Sequence, residues 1–304
     1  MAGDKTTIQL GHSNYKMKFS TAIYWLKKIP IFPVIMLLPL LIFGIFGTWI
    51  YPYDPHFMDL NSTLQPPAWV SGGDLSHILG TDQLGRDLFS RIIEGARPSL
   101  IVGIFGVVLS HFIGVVIGLI AGYLGGNVDQ VMMRVVDTLT AIPGIFFMLL
   151  FVVIAREAGF HGLLPIIISL AFTMWFGVAR MVRAEVLSVK QREFVSLAKV
   201  TGCNISRIII RHIFPNTINT IIVMMTVGLG SAILAESGLS FLGVGVQPPD
   251  TAWGSLISDS TMYLATAWWI PTFAGLAISM TVLGTNLFGD WLRDALDPNI
   301  RQSL

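Results

Sequence analysis

The chain has 304 residues, of which 53% are hydrophobic and 12% charged, and its formal net charge at pH 7 is +1. A soluble domain carries about 25% charged residues to cover its surface, so this composition excludes an ordinary water-soluble enzyme. The near-neutral balance excludes a nucleic-acid-binding protein, which needs a basic face, and the single Cys203 excludes a disulfide framework or a four-cysteine metal site.

Six charge-free runs, 29–53, 98–128, 138–155, 158–179, 212–235 and 260–289, interrupt the charged residues. A bilayer-spanning helix needs about 20 apolar residues, and one charge at mid-bilayer costs about 2.5–3.5 kcal/mol. The shortest run extends backward over Val131-Met132-Met133. The pattern predicts an all-α polytopic membrane protein with six transmembrane helices. Lysines and arginines in the seven intervening segments number 5, 3, 1, 1, 7, 0 and 2 in chain order. Alternate segments therefore hold most of them, and the positive-inside rule places both termini in the cytoplasm.

Residues 1–28 read as a cytoplasmic N-terminal arm ending near the interfacial Trp25, and 29–53 as the first transmembrane helix, helical from about Phe32 to Ile50. Its apolar stretch is too long for a signal peptide, and no small-residue cleavage site follows. Residues 54–97 form an extracytoplasmic segment rich in turn residues, such as Gln65-Pro66-Pro67 and Ser71-Gly72-Gly73. Its Asp82, Arg86, Asp87 and Arg91 have two readings: a charged network at the outer mouth that docks a soluble partner or orders a gate, or a turn held by local Asp–Arg pairs.

Residues 98–290 hold the other five spans. Gly114, Gly118 and Gly122 give the second span a smooth strip, suited to close helix packing within the subunit or between subunits. Arg134 and Asp137, three apart on one helix face, are able to pair. Pro143 is expected to kink the third span, and the kinked helix reads either as lining a pathway, with Pro143 a pathway candidate, or as simple packing. Glu236, at the outer end of the fifth span where a charge reaches water, reads as an aid to substrate passage or as a capped helix end. Residues 291–304 read as a cytoplasmic tail.

The most basic stretch, 180–216, lies between the fourth and fifth spans. A helix over Val186–Val200 with an apolar ridge of Phe194, Leu197 and Val200, a break at Gly202, and a second short helix capped by Asn204 or Ser206 and limited by Pro215 make an elbow. Such an elbow inserts into a groove on a cytoplasmic partner or lies on anionic membrane lipid. No Gly-x4-Gly-Lys-Ser/Thr phosphate loop and no nucleophile–base set occurs, so neither ATP binding nor enzymatic activity is expected of this chain. His56, His77, His111, His161 and His212 lack helical ligand spacing, and no metal site is expected.

Ser196-Leu197-Ala198, three residues, Gly202, nine residues and His212-Ile213-Phe214-Pro215 resemble the EAA loop of ABC-importer membrane subunits. Gly80-Thr81-Asp82-Gln83-Leu84-Gly85-Arg86-Asp87-Leu88-Phe89-Ser90-Arg91 resembles the GTDxxGRDxxSR motif of C-type permeases of the dipeptide, oligopeptide and nickel ABC importers. Further similar stretches, including Glu236-Ser237-Gly238-Leu239-Ser240 and Gly289-Asp290-Trp291-Leu292-Arg293, extend it from about residue 30 to the end.

The resemblance implies a type I ABC importer permease fold in a bacterial cytoplasmic membrane. It implies half of a heterodimeric pore formed with a second homologous permease subunit and working by alternating access. Two cytoplasmic subunits would bind the ATP and Mg, and an extracytoplasmic substrate-binding protein would deliver peptides. The coupling loop would be 184–215, with Glu193, Ser196, Leu197, Ala198, Gly202, Arg207 and Pro215 as ATPase-coupling residues. The same machinery importing nickel or a metal chelate remains open. So does an ATPase-independent secondary transporter, a class that carries charges deep in its spans.

Overall fold

The structure, a computed structural model, describes residues 30–296; the arm 1–28 and residues 297–304 of the tail lie outside the described residues. The elements are α1 (Ile31–Ile50), a 3-10 turn (Leu60–Ser62), α2 (Leu88–Leu124), α3 (Gly126–Thr140), α4 (Gly144–Glu157), α5 (Leu164–Val189), α6 (Glu193–Val200), α7 (Ile205–Ile208), α8 (Phe214–Phe241), α9 (Trp253–Asp259) and α10 (Trp269–Leu296). No strand occurs among the described residues; an isolated bridge joins Thr81 to Asp87.

Five helical stretches are long and apolar enough to cross a membrane: α1, α2, α5, the continuous rod Ile205–Phe241, and α10. The sixth expected span is not one kinked helix. It is the pair α3 and α4, bent by 92°. Pro143 has no N–H to continue the ladder and restricts the residue before it. The hydroxyls of Thr138 and Thr140 also bond back to Arg134 O (2.8 Å) and Val136 O (2.9 Å), which loosens the last turn of α3. Pro143, at φ −54° and ψ 128°, occupies the position before the first turn of α4 and makes no side-chain cap. Of the partners open to Asp137, the structure shows one across helices, because its carboxylate accepts from Arg180 Nη2 on α5 at 2.7 Å.

The 37 residues of α2 measure about 55 Å at 1.5 Å per residue, well beyond the roughly 30 Å hydrocarbon core. Its charged first turns therefore stand clear of the apolar layer. The glycine strip decides how α2 packs. A Cβ on Gly114 would lie 2.6 Å from Val178 Cβ, on Gly118 2.7 Å from Ala179 O, and on Gly122 2.8 Å from Val186 Cβ. The strip is the seam with α5 inside this chain, where dispersion between close backbones replaces the hydrophobic drive.

Pro215 does not limit the elbow. It occupies the first turn of α8, where its missing N–H costs least, and a π turn over Ile209–Ile213 carries the chain from α7 into that helix. One core cluster, with Leu40, Leu100, Trp253 and Ile270, ties α1, α2, α9 and α10 together near the 51–87 segment. Another, with Val182, Val189, Val195 and Ile213, fills the elbow end.

Candidate functional site

At the elbow end, Lys190-Gln191-Arg192 interrupts the helix between α5 and α6. Glu193 opens α6, where an acidic residue suits the positive end of the helix dipole. The helix ends in a Schellman motif: Gly202 N–H donates to Lys199 O (3.0 Å) and Cys203 N–H to Ala198 O (3.1 Å). Gly202 sits at φ +77°, left-handed backbone that only glycine adopts freely. Asn204 Oδ1 then caps α7 by accepting from Arg207 N–H at 3.0 Å.

Val195, Ala198, Ile208 and Ile213 are buried against Val186, Val189 and Tyr123. Lys190 Nζ donates to Tyr123 O at 2.5 Å, and the Lys190 and Lys199 ammonium groups stand 5.5 and 5.7 Å from the Tyr123 ring centre. The expected ridge of Phe194, Leu197 and Val200 divides, because a 3.6-residue period rotates Val195 and Ala198 inward. Phe194 is half-buried, while Leu197 and Val200 are 65% and 86% exposed. Of the coupling candidates, Glu193, Ser196, Leu197, Gly202, Arg207 and Pro215 are exposed and Ala198 is buried.

At the opposite end, Asp82, Arg86, Asp87 and Arg91 come together in one turn. The Asp82 side chain is fully buried. Its Oδ2 accepts from Arg86 Nε (2.7 Å) and Arg91 Nη1 (2.5 Å), and its Oδ1 from the N–H groups of Leu84 (2.8 Å) and Arg86 (3.0 Å). Asp87 caps α2: its Oδ2 accepts from Ser90 N–H (2.8 Å) and the Ser90 hydroxyl (2.7 Å), while Oδ1 faces His77 Nδ1 at 2.9 Å.

The Thr81 hydroxyl donates to Ser62 O, and Trp269 Nε1 donates to Thr81 O at 3.1 Å. Gly85, at φ +71°, lies so close to the 59–62 turn that a Cβ would stand 1.8 Å from Asp59 O. The Asp59 carboxyl is held below its ordinary pKa of 3.8 chiefly by the Ser62 hydroxyl and then by Asn61 N–H. The geometry is that of a turn closed on itself, with its charges turned inward.

Glu236 departs from expectation. It neither reaches water nor caps a helix end; α8 continues to Phe241 and the side chain is fully buried. Ser240 Oγ donates to Oε1 at 2.7 Å and Ser99 Oγ, from α2, donates to Oε2 at 2.9 Å. Ser240, four residues on, shares its helix face and was readable from spacing. Ser99 was not, because 137 residues separate it from Glu236. Arg156, counted only as a loop charge, donates to Val244 O (3.0 Å) and Gly245 O (2.7 Å) and ties the end of α4 to the loop after α8. Pro143 is exposed at the break between α3 and α4.

A family model described as "Binding-protein-dependent transport system inner membrane component" matches residues 114–302. The chain is 44% identical over 262 residues to the dipeptide transport system permease protein DppC of Escherichia coli, covering 86% of each chain. It is 38% identical over 260 residues to the di/tripeptide transport system permease protein DppC of Pseudomonas aeruginosa, covering 86% of this chain and 84% of the relative. It is 37% identical over 276 residues to the oligopeptide transport system permease protein OppC of Bacillus subtilis, covering 91% and 87%.

Proposed function

The chain belongs to the binding-protein-dependent transport system inner membrane component family, and from that premise we propose that it is the membrane-spanning permease subunit of an ATP-driven importer of di- and oligopeptides. It is a multi-pass membrane protein with both termini on the cytoplasmic side. A second homologous permease completes the pore, two cytoplasmic subunits bind and hydrolyse ATP with Mg, and an extracytoplasmic binding protein delivers the peptide. This chain performs no hydrolysis.

The elbow carries the reading. Val195 and Ala198 fasten α6 to the base of α5 and α8, while Leu197 and Val200 stand out beside Lys199 and Arg207. A short helix with a buried inner face and a free apolar outer face transmits displacement because packed interiors deform little. Closure of the ATP-binding pair pushes on this face. The α5–α8 unit follows, and the pathway opens toward the binding protein by alternating access. The Arg183–Asp129 bidentate pair and the Arg180–Asp137 pair couple α5 to α3 at this end.

The test is ATP hydrolysis by the affinity-purified assembly in lipid, with binding protein loaded with mixed short peptides or with a nickel chelate. Stimulation by peptides supports the proposal. Stimulation by the chelate alone keeps the machine and changes its cargo. Absence of any co-purifying ATPase, with uptake that collapses with the proton gradient, overturns it in favour of a secondary transporter.

A further inference from the structure

Arg156 closes the outer end of α4, a half-length span of 14 residues, about 21 Å at 1.5 Å per residue. Irregular backbone bounds this helix on both sides. At its start the chain turns by 92° through 141–143. Past its end lies an exposed turn with Gly159 (φ +87°) and Gly162 (φ +64°), where a Cβ would meet nothing within 4 Å. Phe146, Leu150, Val153 and Ile154 stand exposed on α4, while Val152 and Ala155 are buried. Among the described residues, two side chains tie α4 to distant elements by hydrogen bonds. Ser169 Oγ of α5 donates to Met148 O at 2.8 Å. Arg156 Nη2 donates to Val244 O (3.0 Å) and Gly245 O (2.7 Å).

The loop that supplies those two carbonyls is itself firmly anchored. Val246 N–H donates to Ser240 Oγ at 3.1 Å, and a Cβ on Gly245 would stand 2.1 Å from that oxygen. Ser240 in turn bonds Glu236, which Ser99 joins to α2. Gln247 Nε2 donates back to Gly243 O and Gly245 O, each at 3.1 Å. Arg156 therefore joins a half-span with irregular backbone at both ends to a frame made of α2 and α8. The bond is also of a releasable kind. Its acceptors are neutral carbonyls, so parting strands no buried carboxylate, and the half-buried guanidinium is able to meet water as it leaves.

Resting on the importer reading above, we infer that Arg156 is the latch of the outer gate, a positioning residue of the transport cycle. With its guanidinium on Val244 O and Gly245 O, α4 lies closed against the outer end of α8. Movement of α5, driven from the elbow, reaches α4 through the Ser169–Met148 bond and through α3, which Arg183 and Arg180 tie to α5. The latch parts as the pathway opens toward the binding protein. In the resting assembly it holds the outer side shut and keeps ATP hydrolysis low.

The experiment uses the full assembly in lipid nanodiscs, with Cys203→Ser removing the native thiol and Val152→Cys as reporter. Val152 is fully buried one turn below Arg156, in a core cluster with Leu239 and Val246. A membrane-impermeant maleimide reads its exposure. Without nucleotide, Arg156→Gln should raise the labelling rate about tenfold, because losing one charge-assisted hydrogen bond shifts a two-state equilibrium by about that factor. Arg156→Lys, which keeps a charged donor, should restore much of the protection. Hydrolysis without binding protein should rise with labelling in the Gln variant, at an almost unchanged melting temperature. Equal labelling of the unaltered and Arg156→Gln assemblies overturns the inference, and so does raised labelling with unchanged hydrolysis. Melting temperature and hydrolysis that fall together make Arg156 a structural tie only and overturn it too. Absence of any ATPase from the unaltered assembly refutes the importer reading instead, and the labelling, which needs no nucleotide, then decides the latch.

Discussion

Asp82→Ala tests whether the motif after Gly80 is a structural knot. The Asp82 carboxylate accepts four hydrogen bonds, from Arg86 Nε, Arg91 Nη1 and the N–H groups of Leu84 and Arg86. Arg91 is the critical partner. Its side chain is 6% exposed and its Nε is already unpartnered. It also sits in the first turn of α2, where a positive charge opposes the helix dipole.

Removing one member of a buried ion pair costs about 3–5 kcal/mol because the other charge stays buried and uncompensated. Asp82→Ala should therefore lower the temperature at which the purified protein loses its monodisperse peak in fluorescence-detected size exclusion. The double variant Asp82→Ala/Arg91→Leu should recover part of the loss, since it removes the buried Arg91 charge but leaves Arg86 and the Leu84 and Arg86 N–H groups without their acceptor. Asp82→Asn should fall between, keeping an acceptor but no charge. The reasoning fails if Asp82→Ala melts with the unaltered protein, or if the double variant is worse than the single one.

Gly118→Leu should lower folded yield sharply. A Cβ at that position already approaches Ala179 O to 2.7 Å, and overpacking costs about 1–3 kcal/mol or more; normal yield in membranes would place the α2–α5 seam elsewhere. Glu236→Gln should stay near normal thermal stability because an amide still bonds Ser99 or Ser240. Glu236→Leu, which strands both hydroxyls, should lose about 1–3 kcal/mol, and parity of the two in the same melting assay would contradict the buried serine cradle. Gly202→Pro removes the N–H donated to Lys199 O and forbids φ +77°. It should leave membrane insertion intact while peptide uptake uncouples from ATP hydrolysis, and normal coupled uptake by that variant would exclude the elbow as a lever.

Much of the architecture was legible in one dimension. The spacing of charges marked the spans, since a charge in hydrocarbon is too costly to place at random. Gly202 announced the elbow because left-handed backbone has few other tenants. The sequence offered Asn204 or Ser206 as the cap that follows and the structure takes Asn204, while the short-range pairs of the Asp82 turn lay within the reach of sequence reading.

What the tertiary structure alone decided depended on partners far away along the chain. Pro143 predicted a disturbance, and the structure shows a 92° break there, beyond which Ser169 of α5 bonds Met148 O of α4 at 2.8 Å. The glycine strip was equally suited to a neighbouring subunit until Val178, Ala179 and Val186 filled it. Asp137 chose Arg180 over Arg134. Glu236 looked like a charge at a helix end, and became a buried carboxylate because α2 brings Ser99 across to it. Local conformation follows from neighbours within a few residues, which a sequence displays directly. Burial follows from which surfaces meet after folding, and for Glu236 those surfaces come from opposite halves of the chain.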